Sequence, residues 1–548
     1  MHFSHILLPL CPLASARCTS SQACWPPPHL WSALNTSLSG ALITPHPPAA
    51  PCHLPTFPSA DCTIAKANWT SSPWRTSQAG AYSALLWESP GCGITTPPSA
   101  PCPQGRVPVY AVAATTESDV QTAVRFAATH NLYLVVKNTG HDHLGRSSGA
   151  GSFGIWTHGL KGRTWHSSFV PEGAPAGTKG QAAVTLRAGE QWLDVYADAG
   201  ARNVTVTGGS ARTVGAAGGY MTGGGHSPFA SWAGLAVDNL LQARVVGADG
   251  RVRVLNKWTE EEWFWALRGG GGCAFGVVVE VTYRVHPGPK WVQAVLVQIN
   301  GTGEEGARMV RERALRALPA VVEGGYVGYA DMGSVGVGFQ AVFSLVNGTE
   351  GGYKRAFVGF EELGREEGVR GLMVQVQYGS WMEYAQDFLR DPNIATNVLD
   401  ASKLVSKEHL MTRAGELVAL GERFPEAGMG FNFIGKVNQA ERNNTSVHPS
   451  WATSYGVLSY GVDWTENATA VEQKRKKEML VEISKALADI MGKDTGTYVN
   501  EANPYEPDWE NVFWGKNYAR LLRIKRRIDP QNLFVCNRCV GSDIVLQP

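Results

Sequence analysis

The chain has 548 residues, enough for two or more domains, each with its own core. A formal charge of +1 gives no reason to expect nucleic acid or an anionic membrane surface as a partner. No apolar run reaches the roughly 20 residues of a bilayer span.

At the amino terminus, a short apolar stretch from Ile6 to Leu13 precedes Ala14-Ser15-Ala16, a small-residue cleavage pattern. This predicts a signal peptide over residues 1–16, although no Lys or Arg precedes the stretch and Pro9 and Pro12 interrupt it. Eight Asn-x-Ser/Thr sequons, at Asn35, Asn68, Asn203, Asn300, Asn347, Asn443, Asn444 and Asn467, fit a secreted glycoprotein. Six of ten cysteines (Cys18, Cys24, Cys52, Cys62, Cys92, Cys102) lie in a Pro/Ser-rich region ending near residue 104. Their spacing suits local staples between successive members, although spacing alone does not fix connectivity. The pair Cys536 and Cys539 reads as a structural or free pair, because no second Cys-x-x-Cys completes a zinc site.

Regular structure is predicted from about residue 105. VPVYAVAA (107–114) reads as a strand. Thr116 then caps a helix with apolar residues Val120, Ala123, Val124 and Ala127 on one face. LYLVV (132–136) is the next strand, and it runs into the glycine-rich VVKNTGHDHLGRSSGAGSFG (135–154). A strand over 181–189 and a helix over 191–201 precede the densest glycine tract, VTVTGGSARTVGAAGGYMTGGGHS (204–227). LLQARVVGADGRVRVL (240–255) predicts a hairpin turning at Ala248-Asp249-Gly250. A helix, the third glycine loop RGGGG and a strand fill residues 258–287. Glycine loops thin out over 288–490 and return in the last fifty residues, which suggests one domain built from both ends with another inserted.

Three readings compete for the first loop. His141-Asp142-His143 can present ligands to a metal, but no third His, Cys or Glu nearby completes a set. A turn with a satisfied polar network explains one glycine loop but not three. The third reading is a large phosphate-bearing cofactor, because backbone N–H groups in glycine loops cradle anions. A Walker loop is absent from these tracts, and GGSARTVGAAGG matches a dinucleotide fingerprint only loosely.

The ordered motifs VVKNTGHDHLGRSSGAGS, TGGSARTVGAAGGYMTGGGHSPF, LAVDNLL, LRGGGG-x-x-FGVV and FWGKNYARLLRIKRRIDPQNLF resemble the vanillyl-alcohol-oxidase-type flavoproteins. Within these, the chain is similar to the berberine-bridge-enzyme-like branch, nearest to fungal isoamyl-alcohol-oxidase-like and chanoclavine-synthase-like proteins. The resemblance implies an α+β fold: a two-part FAD-binding domain of the PCMH type assembled from both chain ends, with an inserted α/β substrate domain carrying an antiparallel sheet. The expected organisation is a loop-rich region over 17–105, FAD-binding segments over 106–287 and 495–548, and the substrate domain over 288–494.

The resemblance further implies that His141 bonds covalently to the flavin 8α-methyl, with loop contacts from Asn138, Thr139, Gly140, Gly145, Arg146 and Ser147. Bicovalent relatives carry Cys-Pro-Thr-Val-Gly where this chain has Ala211-Arg212-Thr213-Val214-Gly215, so a single link without a cysteinyl bond is expected. Gly208, Gly209, Ser210, Thr213, Gly215, Gly218, Gly219 and Gly223 are expected to line the flavin and its phosphates. Tyr220 stands where relatives often carry a flavin-contacting histidine. Asp238, Asn239, Val278 and Asn517 are expected as further FAD contacts.

By the same resemblance, a substrate C–H passes hydride to the flavin, and oxygen reoxidises it with release of hydrogen peroxide. Val214 matches the oxidase pattern at the oxygen gatekeeper. Tyr498 and Glu501 are the expected catalytic residues. Alternation along an extended chain sends them to opposite sides unless the chain turns. Tyr378, Glu383 and Tyr384 are further base candidates, and Lys525-Arg526-Arg527 reads as a solvated helix end. The expected partners are a small-molecule substrate and molecular oxygen, and the expected state is a secreted monomer. A carbohydrate oxidase, a flavin dehydrogenase and a non-catalytic FAD-binding glycoprotein are the alternatives.

Overall fold

The computed structural model describes residues 17–333, 338–391, 394–437 and 444–548. The predicted signal peptide and the sequon at Asn443 lie outside the described residues. Among those described, no helix is long and apolar enough to cross a membrane.

Two layered assemblies share the chain. The first begins with a four-stranded sheet in which Tyr110–Ala113, Phe153–Trp156 and Leu134–Lys137 run parallel. The two strands read from the sequence therefore flank Phe153–Trp156 and do not pair with each other. The connecting helix Glu117–Thr129 forms because Thr116 and Asp119 make a reciprocal capping box. The four apolar positions read from its periodicity are all fully buried. A five-stranded antiparallel sheet follows, with Val277–Arg284 at its centre between Gln181–Arg187 and Leu240–Val246.

The second assembly is a seven-stranded antiparallel sheet built between Val292 and Trp464. Helices Gly303–Glu323, Glu350–Leu363, Ala414–Arg423 and Ala470–Met491 accompany it. Side chains alternate across a strand. In Asn397–Ser406, Leu399, Ala401 and Val405 join the core of this second assembly, whereas Leu404 joins the core of the first. Asp400 and Ser402, in phase with Leu404, thereby face the first assembly. A bulge between Phe431 and Phe433 makes Asn432 an extra residue against the neighbouring strand.

Residues 17–105 bind the two assemblies together. Trp31 packs on Tyr110 and Phe153 of the first sheet and on Phe126 of the helix Glu117–Thr129, and Ala41–Ile43 adds an antiparallel edge to the sheet. Farther along, Tyr82, Ala84 and Trp87 join the core of the second assembly. Disulfides join Cys18–Cys24, Cys52–Cys62, Cys92–Cys102 and Cys536–Cys539. The region also holds the helices Pro28–Thr36 and Ala60–Ala67, which its proline content concealed. The basic run near the C terminus divides: Arg526 and Arg527 are solvated, but Lys525 is buried on Asp529 and on the carbonyls of Ala274 and Phe534. As a group, then, it is not a solvated helix end.

Candidate active site and flavin cleft

The first glycine loop leaves its strand at Lys137. Asp142 folds it, accepting the Leu144 N–H on Oδ1 and both the N–H and hydroxyl of Ser147 on Oδ2. Gly140 and Gly145 have φ of +87° and +67°, a region that side chains rarely enter. A Cβ at Gly145 would also lie 2.6 Å from the Trp87 ring. Arg146 is buried and donates to the carbonyls of Asn537 and Arg538, tying the loop to the C-terminal segment. Thr139 is buried as well.

The three members of His141-Asp142-His143 point to different partners. His141 Nε2 lies 2.8 Å from Thr213 Oγ1, and His143 Nδ1 lies 3.7 Å from Asp400 Oδ2. That divergence removes the metal reading of this triplet. The His/Cys/Asp/Glu cluster close enough for a metal among the described residues, His53 with Cys92 and Cys102, has both its cysteines in one disulfide. Burial lowers the His141 pKa to about 4, with Asp391 opposing and His143 and Lys137 adding to the shift, so the imidazole is neutral at physiological pH.

The second glycine loop serves two purposes. Gly208 allows tight packing: a Cβ there would lie 2.4 Å from the Tyr196 hydroxyl and 2.6 Å from the Trp192 ring. The Tyr196 hydroxyl donates to the Gly209 carbonyl, and a Cβ on Gly215 would collide with the Asn138 side chain. Gly218 and Gly219 are the opposite case, with no atom within 4 Å of a Cβ at either position. They line a cleft with Asn138, Gly271, Gly272 and Val278. No Asp or Glu lines it, and Asn138 Oδ1 is buried without a partner. A neutral cleft walled by glycine backbone fits a dinucleotide pyrophosphate.

Other expected FAD contacts have local work. Asp238 accepts the Leu235 N–H in a helix cap, and Asn239 donates to the carbonyls of Ala233 and Leu235. Asn517 donates to the Val447 carbonyl.

The third centre forms where the C-terminal segment returns. Val499–Glu501 is a turn of 3-10 helix, with the Glu501 N–H donating to the Tyr498 carbonyl. This turn lifts the opposite-sides restriction of an extended chain. Glu501 Oε1 lies 3.1 Å from His226 Nε2, and the Tyr498 ring centroid is 5.1 Å from that of His226. Asn500 donates to the Tyr498 hydroxyl and to the Tyr220 carbonyl, while Gly223 leaves room for the Asn500 side chain. The Tyr220 hydroxyl donates to the His226 carbonyl. Tyr329 and Phe433 of the large sheet complete the ring around His226, and Ser210 lies against the Tyr329 hydroxyl.

Burial raises the Glu501 pKa, but His226, His143 and Asn432 outweigh it and hold the carboxyl below its ordinary value. Burial, reinforced by the Glu501 charge, raises that of Tyr498. Asp400 is raised by burial and by Glu501, with His143 opposing.

Tyr378 and Glu383 stand apart from this cluster, while Tyr384 neighbours it through Tyr329. Tyr378 bonds to Asp387, Glu383 accepts the Gly379 N–H, and Tyr384 packs on Phe388 and Phe229. His226, Asp391, Asp400 and Tyr329 were missed from the sequence. His226 is embedded in the tract GGGHSPF and meets Glu501 from 275 positions away. The signal available was a histidine closing a glycine tract.

Comparison with known proteins identifies the assembly. A family model described as FAD binding domain matches residues 108–256, and one described as berberine and berberine like matches residues 497–540. An uncharacterized FAD-linked oxidoreductase of Arthroderma benhamiae is 53% identical over 538 residues, covering 97% of this chain and 95% of that one. The chain belongs to the berberine-bridge-enzyme-like FAD-linked oxidoreductases. The FAD-linked oxidoreductase asqF of Emericella nidulans is 34% identical over 553 residues, 96% of this chain and 94% of that one. A VAO-type flavoprotein of Myceliophthora thermophila superposes with a TM-score of 0.88 at 28% identity, covering 97% and 98% of the two chains. A chitooligosaccharide oxidase, at 18% identity and a TM-score of 0.62 over 80% of this chain and 92% of that one, shares the fold. This berberine-bridge-enzyme-like protein is thus an FAD-dependent oxidoreductase of α+β architecture. It combines a PCMH-type FAD-binding domain with a seven-stranded antiparallel sheet, and acts on a small molecule.

Proposed function

We propose that the protein is a secreted oxidase that holds FAD by a single covalent link through His141 and oxidises a C–H bond of an alcohol-like or specialised-metabolite substrate. The observation that carries this reading is the convergence of the His141 loop on the Glu501–His226 pair. His143, two residues beyond His141, sits against Asp400 and contributes to the electrostatic environment of Glu501. When bound, FAD supplies the two-electron acceptor, which molecular oxygen regenerates with release of hydrogen peroxide.

Asn138, Gly218, Gly219 and Val278 line the cleft that would hold the cofactor. Glu501 and His226 take the proton that the substrate hydroxyl releases, and the buried, neutral Tyr498 positions that hydroxyl by hydrogen bonding. Phe433 and Tyr329 pack around the buried His226, and Trp451 packs on Phe433 and Tyr498, which shields the histidine side of the pair. Ala211 offers no thiol for a second attachment. Val214 supports the oxidase reading through the family pattern, and the disulfides support secretion into an oxidising compartment.

The test is expression through a secretory host, followed by acid denaturation and a gel read for flavin fluorescence. The native protein is expected to fluoresce in the protein band and His141→Ala is not. A donor screen with peroxide as readout, repeated with an artificial electron acceptor under nitrogen, then separates an oxidase from a dehydrogenase. A colourless protein band with free flavin in the supernatant would defeat the covalent link.

A further inference from the structure

The partner of His141 is held from three directions. Thr213 is buried, and its backbone N–H and hydroxyl both donate to Asp391 Oδ1, at 2.7 and 2.6 Å. Ser72 Oγ lies 2.8 Å from Thr213 Oγ1, and His141 Nε2 lies at the same distance from it. Ser72 belongs to a short helix of the N-terminal region, and Asp391 precedes a strand of the large antiparallel sheet. No one of these three regions alone assembles the arrangement.

The proton positions follow from counting. A carboxylate only accepts, so the single hydroxyl proton of Thr213 is committed to Asp391. The Thr213 oxygen is then an acceptor toward its remaining neighbours. His141 can bond to it only by donating, which places the imidazole hydrogen on Nε2 and leaves the lone pair on Nδ1. Burial keeps the ring neutral, as a nucleophile requires.

We propose that Asp391, acting through Thr213, is the positioning group for flavin attachment: it fixes the His141 tautomer and presents Nδ1 to the 8α-methyl carbon. The inference rests on the reading of His141 as the attachment residue. In the attachment, one methyl C–H bond breaks and one Nδ1–C bond forms. The two hydrogens released, one from the methyl group and one from Nε2, leave with two electrons when molecular oxygen is reduced to hydrogen peroxide. The ring gains positive charge as the new bond forms, and the Thr213–Asp391 chain supports that charge and gives the Nε2 proton a route out. An aspartate behind a histidine in a hydrolase triad sets the tautomer in the same way. A consequence is that attachment waits for the large sheet to dock, because that part of the chain supplies Asp391.

The experiment compares wild type, Asp391→Asn, Asp391→Glu, Thr213→Val and Thr213→Ser, each purified and saturated with FAD in air. Total flavin is read from absorbance, and covalent flavin from in-gel fluorescence over time. Covalent flavin is taken as a fraction of the total flavin each variant holds, and the expected result is attachment slowed on the order of tenfold or more in Asp391→Asn and Thr213→Val. Thr213→Ser, which keeps the hydroxyl, and Asp391→Glu, which keeps the charge, are expected to recover most of the rate. Mapping the flavinylated peptide should place the bond at Nδ1. If Asp391→Asn and Thr213→Val attach flavin at the wild-type rate, the positioning role is wrong while the covalent link stands. If the wild type itself carries no covalent flavin, the link and the role fail together. Should Asp391→Asn not be secreted, the Thr213→Val and Thr213→Ser pair decides the question alone.

Discussion

Around His226 the contacts made to Glu501 set a pH dependence. Burial alone would push Glu501 up, yet contact with His226 and the nearby His143 bring it below its ordinary value. A carboxylate shifted down stays ionised, and able to accept a proton, at every pH above its own lowered value. Its contribution is therefore present through the ordinary carboxylate range and is lost only as the pH falls through that lower value. Once a donor is found, the acidic limb of the flavin-reduction rate should lie below the ordinary glutamate range. Glu501→Gln is expected to cut that rate by about 10²–10⁴-fold, read by anaerobic stopped-flow bleaching. His226→Asn removes the main downward influence, so the acidic limb should move up toward an ordinary glutamate. If Glu501→Gln reduces flavin at the wild-type rate, the base lies elsewhere.

The elements were legible in the sequence to the extent that they repeat. Helix Glu117–Thr129 and the hairpin Leu240–Leu255 announce themselves through periodicity, a cap residue and a turn glycine, all local signals. The glycine tracts announce a cofactor but not which glycine does what, because Gly208 and Gly219 look alike in a sequence and differ in what stands over them. Gly208 faces two aromatic side chains; Gly219 faces open space in the cleft. Two alanine substitutions should therefore fail in different ways. Gly208→Ala overpacks Trp192 and Tyr196 and is expected to cost about 1–3 kcal/mol, seen as a lower denaturant midpoint. Gly219, with no positive φ to defend, should accept alanine with an unchanged midpoint while flavin uptake falls, because the methyl group enters the cleft. Equal losses of stability in both variants would mean that the open cleft is not the cofactor's. Residues brought together across long separations, such as Ser72, Thr213 and Asp391, carry no periodic signal, and neither does the burial of Lys525.

Taken whole, the molecule depends on the region that reads as least structured. Residues 17–105 thread between both assemblies, and one buried ion pair organises their passage. Arg75 donates to the carbonyls of Trp69 and Tyr82 and pairs with Glu88, which also accepts the Tyr82 N–H. The segment so fixed supports the flavin loop from behind. The Tyr82 hydroxyl donates to the Ser147 carbonyl and the Ser83 N–H to the Gly140 carbonyl, on either side of His141. Both charged side chains are nearly inaccessible, at 1% and 3%. Removing one charge leaves the other buried without compensation, which costs far more than the pair itself contributes. Glu88→Ala is therefore expected to lose about 3–5 kcal/mol in chemical unfolding, with Glu88→Gln between it and wild type because the amide still accepts the Tyr82 N–H. The loss should be felt beyond the N-terminal region: hydrogen exchange at residues 138–147 is expected to accelerate in Glu88→Ala before global unfolding. A variant that unfolds at the wild-type midpoint would show that the pair is decoration and that the loop is held by its own turn chemistry.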